Sequence, residues 1–366
     1  MDDQKQIERI ERELSPQVPS NAHVGRRAFI GTAAAVAAAG STLAVPSVAH
    51  AAKNLAASPP AGFSPFNAPG KVVKVSKADT LQPNKLYPKP DVAKEMLTRV
   101  LMELTGKPDL VSSVKEFVHK DDIVVVKVNG IAQSQMATSK ELIIPFVEAM
   151  IEGGVPAQNI TLLEQYAGFF NATRLTAQNV PAGVKIANHA NGNATMEDRL
   201  IPGTGTRTKF VRWLTEATAA INFALIKDHS ICGYTGALKN MTHGCSINPH
   251  DFHVHHASPQ IALMYAQDVI KSRVRLCIAD GFKVMADGGP LYKRPEFVKA
   301  HDAVYASTDP VAIDTIGWEV VEKYRADFRL KTLTEVGREP GYIKAAADLG
   351  LGIHDRAKIQ LKEVAI

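Results

Sequence analysis

The segment DIVVVKVN at residues 122–129 is a clear indication of the fold class. It is a short run of β-branched apolar residues, which is typical of a strand buried on both faces of a parallel sheet. Similar runs recur along the chain. They cover residues 72–78, 159–165, 184–188, 218–226, 274–280, 302–308 and 357–364.

Helical patterns separate these runs. They predict helices over 91–106, from a capping box at Thr138 and Glu141 to about Glu152, after Asp309-Pro310, after Ser258-Pro259, and over 341–350. Strands that alternate with helices predict an α/β fold with a mainly parallel or mixed sheet and helices on both faces. We expect one large domain or two closely joined lobes.

The N-terminal residues 1–51 are expected to be an export signal rather than part of the fold. Arg26-Arg27 precede an alanine-rich run that ends at Ala49-His50-Ala51, a pattern that resembles a twin-arginine signal. A membrane anchor is the alternative, but the run is weakly apolar for a stable span. We therefore expect the twin-arginine machinery as a partner and a periplasmic or otherwise exported protein, with a membrane tether if the leader is uncleaved. The sequence predicts a linker over residues 52–70 and the α/β domain over residues 71–366.

Charge and cysteine usage narrow the function classes. The net charge is +5 without a basic run, so nucleic acid is not an expected partner. The three cysteines form no C-x-x-C pair, so no iron–sulfur cluster is expected. In an oxidising compartment Cys232 and Cys245 are the predicted disulfide partners, with Cys277 buried in its strand.

Polar side chains follow four of the apolar runs. Carboxyl ends of parallel strands meet at one edge of a sheet, where ligands usually bind, so we expect these side chains to meet there. The residues concerned are Lys127, Asn129, Lys227, His229, Asp280, Asp309 and Asp314, with Lys239, Asn240 and His243 added by the segment TGALKNMTHG. Each has an ordinary explanation too, such as a solvated strand-end lysine, a turn or a helix cap.

Five of the twelve histidines lie in HGCSINPHDFHVHH, residues 243–256. Two or three imidazoles with Asp251 suit a divalent ion such as zinc or iron. An extended backbone puts His253 and His255 on one side, whereas a turn brings His250 and His253 together, joined by His256. The predicted metal ligands are His243, His250, His253, His255 and His256. The alternatives are an acid–base centre at His229 or His243, or a polar loop without a ligand.

Five motifs carry a resemblance to a known family. They are VVVKVNG, INFALIKDH, TGALKNMTHG, IADGFKVMADGGP and ASTDPVAIDTIG, in that order. Over roughly residues 71–325 the chain resembles the bacterial and archaeal family called domain of unknown function 362. The resemblance implies an α/β domain of undetermined activity. Some members carry ferredoxin-type cysteine motifs, which this sequence lacks. Matched by position, the motif residues are Lys127, Asn129, Lys227, His229, Lys239, Asn240, Asp280, Gly289, Asp309 and Asp314.

Two functions fit these residues. The first is an exported, metal-dependent enzyme that acts on a small anionic substrate by redox or hydrolytic chemistry. Its predicted catalytic residues are Lys127, Lys227, His229, Lys239, Asp280 and Asp309, and its predicted anion-binding residues are Lys127, Asn129, Lys227, Lys239 and Asn240. The second is a non-catalytic extracytoplasmic protein that binds a metal or an anion with the same residues. A scaffold whose strand-end charges pair with one another is a third reading.

Overall fold

The computed structural model describes residues 54–189 and 199–366, so the predicted export signal lies outside the described residues. The strands are β1 (Lys71–Ser76), β2 (Val124–Lys127), β3 (Ile160–Leu163), β4 (Lys185–Ala187), β5 (Arg199–Leu200), β6 (Arg207–Thr208), β7 (Ala219–His229), β8 (Gly233–Thr235), β9 (Val274–Met285), β10 (Val298–Ser307) and β11 (Gln360–Ala365). The helices are α1 (Pro90–Thr105), α2 (Leu110–Val114), α3 (Lys140–Glu152), α4 (Ala167–Ala172), α5 (Arg212–Thr215), α6 (Ala237–Thr242), α7 (Gln260–Tyr265), α8 (Asp268–Lys271), α9 (Pro310–Asp327) and α10 (Tyr342–Asp348).

A single nine-stranded sheet organises the domain. Its order is β11-β1-β10-β9-β7-β2-β3-β4, and β8 pairs with the end of β7. Strands β9, β7, β2, β3 and β4 are mutually parallel. The predicted α/β class with a mainly parallel, mixed sheet is therefore confirmed. The apolar run at residues 122–129 forms β2, and every residue of β2 and β7 is buried.

Helices cover both faces of the sheet, which explains why the central strands have no polar face. One face packs against α1 and α3 through residues such as Leu97 and Phe146. The other face packs against α6, α7, α9 and α10 through residues such as Leu238 and Ile316. The two apolar layers leave the carboxyl ends of β2, β3 and β7 as the place where polar side chains can gather.

Strand β10 runs in the opposite direction to its neighbours. It pairs antiparallel with both β9 and β1. The expectation that the 302–308 run delivers its polar residues to the same edge as the other runs is therefore wrong. Asp309, which follows β10, lies at the opposite edge of the sheet from Lys127 and Lys227.

The start of α3 differs from the predicted capping box. Thr138 Oγ1 accepts a hydrogen bond from the Asn129 backbone N–H at 2.9 Å, and Glu141 forms an ion pair with Arg174 at 2.7 Å. The N–H of Ser139, the N-cap residue, donates instead to Asp280 Oδ2 at 2.8 Å. Asp280 on β9 therefore accepts the hydrogen bond from the N-cap N–H that the predicted capping box assigned to the Glu141 side chain.

Residues 54–70 form neither helix nor strand, yet they are bonded to the domain. The Leu55 N–H donates to Asp268 Oδ2 at 2.7 Å, and the Gly70 N–H donates to Asp309 Oδ2 at 2.9 Å. The three cysteines are buried free thiols, so the predicted Cys232–Cys245 disulfide is not formed. Within the two described ranges, no helix is long and apolar enough to cross a membrane.

Candidate functional site

Helix α6 carries the central residues of the site, and a buried carboxylate fixes its first turn. Asp314 on α9 accepts hydrogen bonds from the backbone N–H groups of Ala237 at 2.6 Å and Leu238 at 2.9 Å. These are donors that a helix cannot satisfy internally. A Cβ atom at residue 236 would lie 2.1 Å from Asp314 Oδ1, so only glycine lets the carboxylate approach. Asp314 therefore positions α6.

Two lysines at the ends of β2 and β7 are linked through asparagine amides. Lys227 Nζ donates to Asn129 Oδ1 at 3.0 Å, and Asn129 Nδ2 donates to Asn240 Oδ1 at 3.1 Å. Lys127 Nζ donates to the same Asn240 oxygen at 3.3 Å. Asn240 Nδ2 is held in turn by Asn222 Oδ1 at 2.8 Å. Because each amide oxygen faces an ammonium donor, the network defines which way both amides point.

One carboxylate contacts this lysine cluster. Glu164, directly after β3, accepts from Lys127 Nζ at 3.2 Å through Oε2 and from the Gly130 N–H at 2.8 Å through Oε1. Its Oε2 atom also accepts from the Gln165 N–H. Lys127 and Glu164 are 1% and 3% exposed, so the pair is a buried ion pair.

A third lysine lies between two imidazoles. Lys239 Nζ on α6 is 2.5 Å from His229 Nε2 and 2.9 Å from His253 Nε2. The two rings are stacked, with centroids 5.3 Å apart, and the His243 ring meets His253 edge-on at 4.6 Å. Two histidines therefore contact one amine, and a third packs against one of them.

Burial controls the protonation of this cluster. It lowers the pKa of Lys227 from 10.5 to about 7. Burial also lowers the pKa of Lys239, and it holds the pKa of His229, His243 and His253 well below 6.5. The imidazoles are therefore neutral at neutral pH, when they can accept or relay protons.

A cavity of about 60 Å³ opens among these groups. Its lining includes Lys127, Asn129, Glu164, His229, Lys239 and Asn240, together with Thr235 and His243. A cavity measured in this way needs about 10–15 Å³ to hold one water molecule, so this one has room for a small group such as a carboxylate with the adjoining carbonyl. Within the described part of the chain, Thr235 Oγ1 and His243 Nε2 are buried and make no hydrogen bond. They are free to bind a ligand.

The structure brings most of the predicted site residues together. Eight of them contact one another or line this cavity: Lys127, Asn129, Lys227, His229, Lys239, Asn240, His243 and His253. On β7, Lys227 and His229 share a face because side chains alternate along a strand.

Asp280 and Asp309 are located elsewhere and hold backbone groups. Asp280 lies within β9, which continues to Met285, and it accepts the N–H of the α3 cap residue. Asp309 Oδ1 caps α9 by accepting from Val311 N at 3.0 Å and Ala312 N at 2.9 Å. Neither carboxylate lines the cavity.

The histidine loop does not form the predicted cluster. His255 and His256 have left-handed backbones with φ of 52° and 58°, and their side chains are exposed, as is that of His250. The expected convergence of His253 and His255 therefore fails, since it assumed an extended backbone. In residues 54–189 and 199–366, no group of three His, Cys, Asp or Glu side chains is arranged to hold a metal ion.

Sequence reasoning missed Glu164, Thr235 and Gly244. Glu164 follows an apolar run, so the strand-end rule that identified Lys127 applies to it equally. A Cβ atom at residue 244 would lie 2.5 Å from Lys127 Cε, so glycine at this position leaves room for the Lys127 side chain. This close approach between distant segments leaves no sequence signal.

The fold and the site define an α/β protein with a buried lysine–histidine pocket. The chain belongs to the family described as a domain of unknown function, DUF362, whose model matches residues 124–319. No curated protein matches the chain. Seven chains of solved structures match. One of them, the lactate racemase apoprotein from Thermoanaerobacterium thermosaccharolyticum, is 12% identical with a TM-score of 0.40. That match covers 69% of this chain and 57% of the racemase apoprotein chain.

Proposed function

We propose that this protein is an exported enzyme that binds a small anionic substrate in the lysine–histidine pocket and carries out acid–base chemistry on it. The observation that carries the proposal is the charge balance of the pocket. Lys127, Lys227 and Lys239 are 1%, 0% and 6% exposed. Among the described residues, Glu164 is the one carboxylate in hydrogen-bond contact with any of the three amines.

An anion compensates this arrangement. Lys127 and protonated Lys227 are two buried positive charges beside one carboxylate, and an uncompensated charge in a medium of low dielectric constant costs several kcal/mol. A carboxylate or phosphate group in the cavity accepts a charge-assisted hydrogen bond from Lys127, which is stronger than a hydrogen bond between neutral groups. The unsatisfied Thr235 hydroxyl supplies a further donor for the same ligand.

The chemistry we propose depends on the amine–imidazole contacts. The neutral His253 imidazole, 2.9 Å from Lys239 Nζ, is a proton acceptor for a bound substrate, and His229 contacts the same amine at 2.5 Å. A protein that merely stored an anion would not need this proton pathway. An enzyme that moves a proton on its substrate would.

The zinc or iron ion predicted from the sequence is not part of this proposal. The described side chains do not fit such an ion, because Lys239 Nζ already lies between the Nε2 atoms of His229 and His253, where a shared metal ion would have to bind. Elemental analysis of protein purified without chelators tests this: we expect less than a tenth of an equivalent of any transition metal. A full equivalent lost on His253→Ala substitution would restore the metal prediction.

Export is proposed from the sequence of residues 1–51. A fusion of this segment to a folded reporter should reach the periplasm, and replacing both Arg26 and Arg27 by lysine should retain the reporter in the cytoplasm. Equal export of the two fusions would contradict a twin-arginine signal.

Sulfate binding tests the anion site. Lys227 is the best residue to remove, because its acceptors are neutral: Asn129 Oδ1 and the Pro290 carbonyl at 3.4 Å. By calorimetry at pH 6 we expect one sulfate per chain, and at least tenfold weaker binding in Lys227→Met. The control is Lys94→Met, an exposed lysine on α1, which should bind like wild type. No binding, or equal binding by both variants, would overturn the proposal.

A further inference from the structure

We infer that Lys239 is held as a neutral amine that condenses with the carbonyl carbon of a small 2-oxo acid to form a Schiff base. This inference rests on the proposed anion site and names its substrate class. It starts from the hydrogen bonds of one histidine.

The tautomer of His229 is fixed by the backbone that follows it. The Ile231 N–H donates to His229 Nδ1 at 3.1 Å, and the Cys232 N–H approaches the same atom at 3.4 Å. Nδ1 is thus an acceptor and carries no proton. A neutral imidazole with an unprotonated Nδ1 has its proton on Nε2.

That proton determines the state of the lysine. His229 Nε2 lies 2.5 Å from Lys239 Nζ, so the Nε2–H donates and Nζ accepts through a lone pair. An ammonium group has no lone pair, so Lys239 is an amine. One of its own hydrogens is directed to His253 Nε2 at 2.9 Å. Burial, which lowers the pKa of Lys239, acts in the same direction.

A neutral lysine at a cavity wall is a nucleophile. Lys127 and Asn129 line the cavity, where they bind the substrate carboxylate, and Lys227 Nζ donates to Asn129 Oδ1 at 3.0 Å. The 60 Å³ volume limits the bound part to that group and the adjoining carbonyl. A 2-oxo acid presents these two groups on neighbouring carbons, so it matches an anion site beside an amine.

The condensation needs no other reactant. Rotation about the Cε–Nζ bond turns the lone pair towards the carbonyl carbon, the C–N bond forms, and the C=O π electrons move to oxygen. The two protons released from Nζ pass in turn through His253 to that oxygen. The C–O bond then breaks and the oxygen leaves as water, which leaves a C=N bond to Lys239.

Reductive trapping tests the inference on the full chain. With pyruvate and cyanoborohydride at pH 7, we expect one adduct per chain, with peptide mapping on Lys239. Lys239→Arg should lose the adduct and the exposed-lysine control Lys94→Arg should keep it. Sulfate should slow trapping in wild type. Adducts distributed over surface lysines, or an unchanged adduct in Lys239→Arg, would overturn the inference.

The positioning role of His229 is tested by a pH profile. His229→Asn keeps an acceptor for the Ile231 N–H but lacks Nε2, so trapping should reach half its maximum at higher pH than in wild type. The other titratable groups facing Lys239 are Lys227, Cys232, His243 and His253, and they are unchanged in this variant. An unshifted profile would refute the His229 argument.

The two proposals fail in different ways. If pyruvate competes with sulfate but gives no adduct, the Schiff-base inference is wrong and the anion site stands. If neither sulfate nor pyruvate binds, the anion site itself is wrong.

Discussion

Replacing Glu164 by glutamine separates the stability of the pocket from its affinity for anions. Glu164 accepts on both oxygens, from Gly130 N at Oε1 and from Lys127 Nζ at Oε2. A glutamine side chain has one acceptor oxygen and one NH₂ group. In either orientation of the amide, the NH₂ group therefore faces an N–H donor and cannot accept its hydrogen bond. The substitution leaves Lys127 buried without its charge partner.

The magnitude follows from the geometry. Unit charges 3.2 Å apart attract by about 5 kcal/mol at an effective dielectric constant of about 20. Removing one partner of a buried pair costs about 3–5 kcal/mol in practice. Lys127 keeps its contacts to Asn240 and to the Val128 carbonyl, so we expect about 3 kcal/mol. That lowers the Tm by roughly 4–5 °C for a chain of this size.

Anion binding should change in the opposite direction. Without the Glu164 carboxylate the pocket is more positive, so sulfate should bind Glu164→Gln at least tenfold more tightly than wild type. Urea unfolding followed by circular dichroism, with and without sulfate at constant ionic strength, measures both effects. Sulfate should restore a larger part of the stability in the variant.

The matched control is Glu148→Gln, an exposed glutamate on α3, which should change stability by less than about 0.5 kcal/mol. A Glu164→Gln protein as stable as wild type would show that the buried ion pair of Lys127 and Glu164 does not stabilise the protein. A variant that is less stable and also binds sulfate more weakly would refute the charge argument.

Three further predictions address the surroundings of the pocket. Asp314→Asn should lower the free energy of unfolding by about 1–2 kcal/mol and weaken sulfate binding, because the first turn of α6 loses its cap. The control Asp348→Asn, at an exposed position, should change neither the stability nor the sulfate affinity. Denaturant titration measures the stability, and calorimetry measures the affinity. Sulfate affinity should be constant well below pH 7 and fall by up to tenfold per pH unit above it, because Lys227 loses its proton near pH 7; a flat profile from pH 6 to 9 would contradict this. Thiol titration of the full chain in denaturant without reductant should find three free cysteines, and a count of one would support the Cys232–Cys245 disulfide.

The local sequence predicted the strands and helices well, because buried segments have a characteristic pattern of apolar residues. The β-branched run at 122–129 became β2, and the apolar runs at 159–165 and 218–226 became β3 and β7. The strand-end rule placed Lys127, Asn129 and Lys227 in one cluster, since these parallel strands end at the same edge. Lys239 and Asn240 joined them through the short helix that follows β8.

The direction of β10 was not recorded in its apolar pattern. A buried strand has the same composition whichever way it runs, so the sequence run 302–308 could not place Asp309. The connection is informative instead: residues 286–297 contain no α-helix, and parallel neighbours usually need a crossover helix. Tertiary pairing moved Asp309 to the other edge.

What the sequence determined by itself was the α/β class, the strands and the lysines at their ends, because these depend on the period and composition of short segments. Tertiary structure decided which partners those lysines meet. Glu164, Thr235 and the left-handed turn at His255 depend on contacts between distant segments. Charge balance and tautomer state are properties of such contacts, so the pocket's chemistry appears only once the chain has folded.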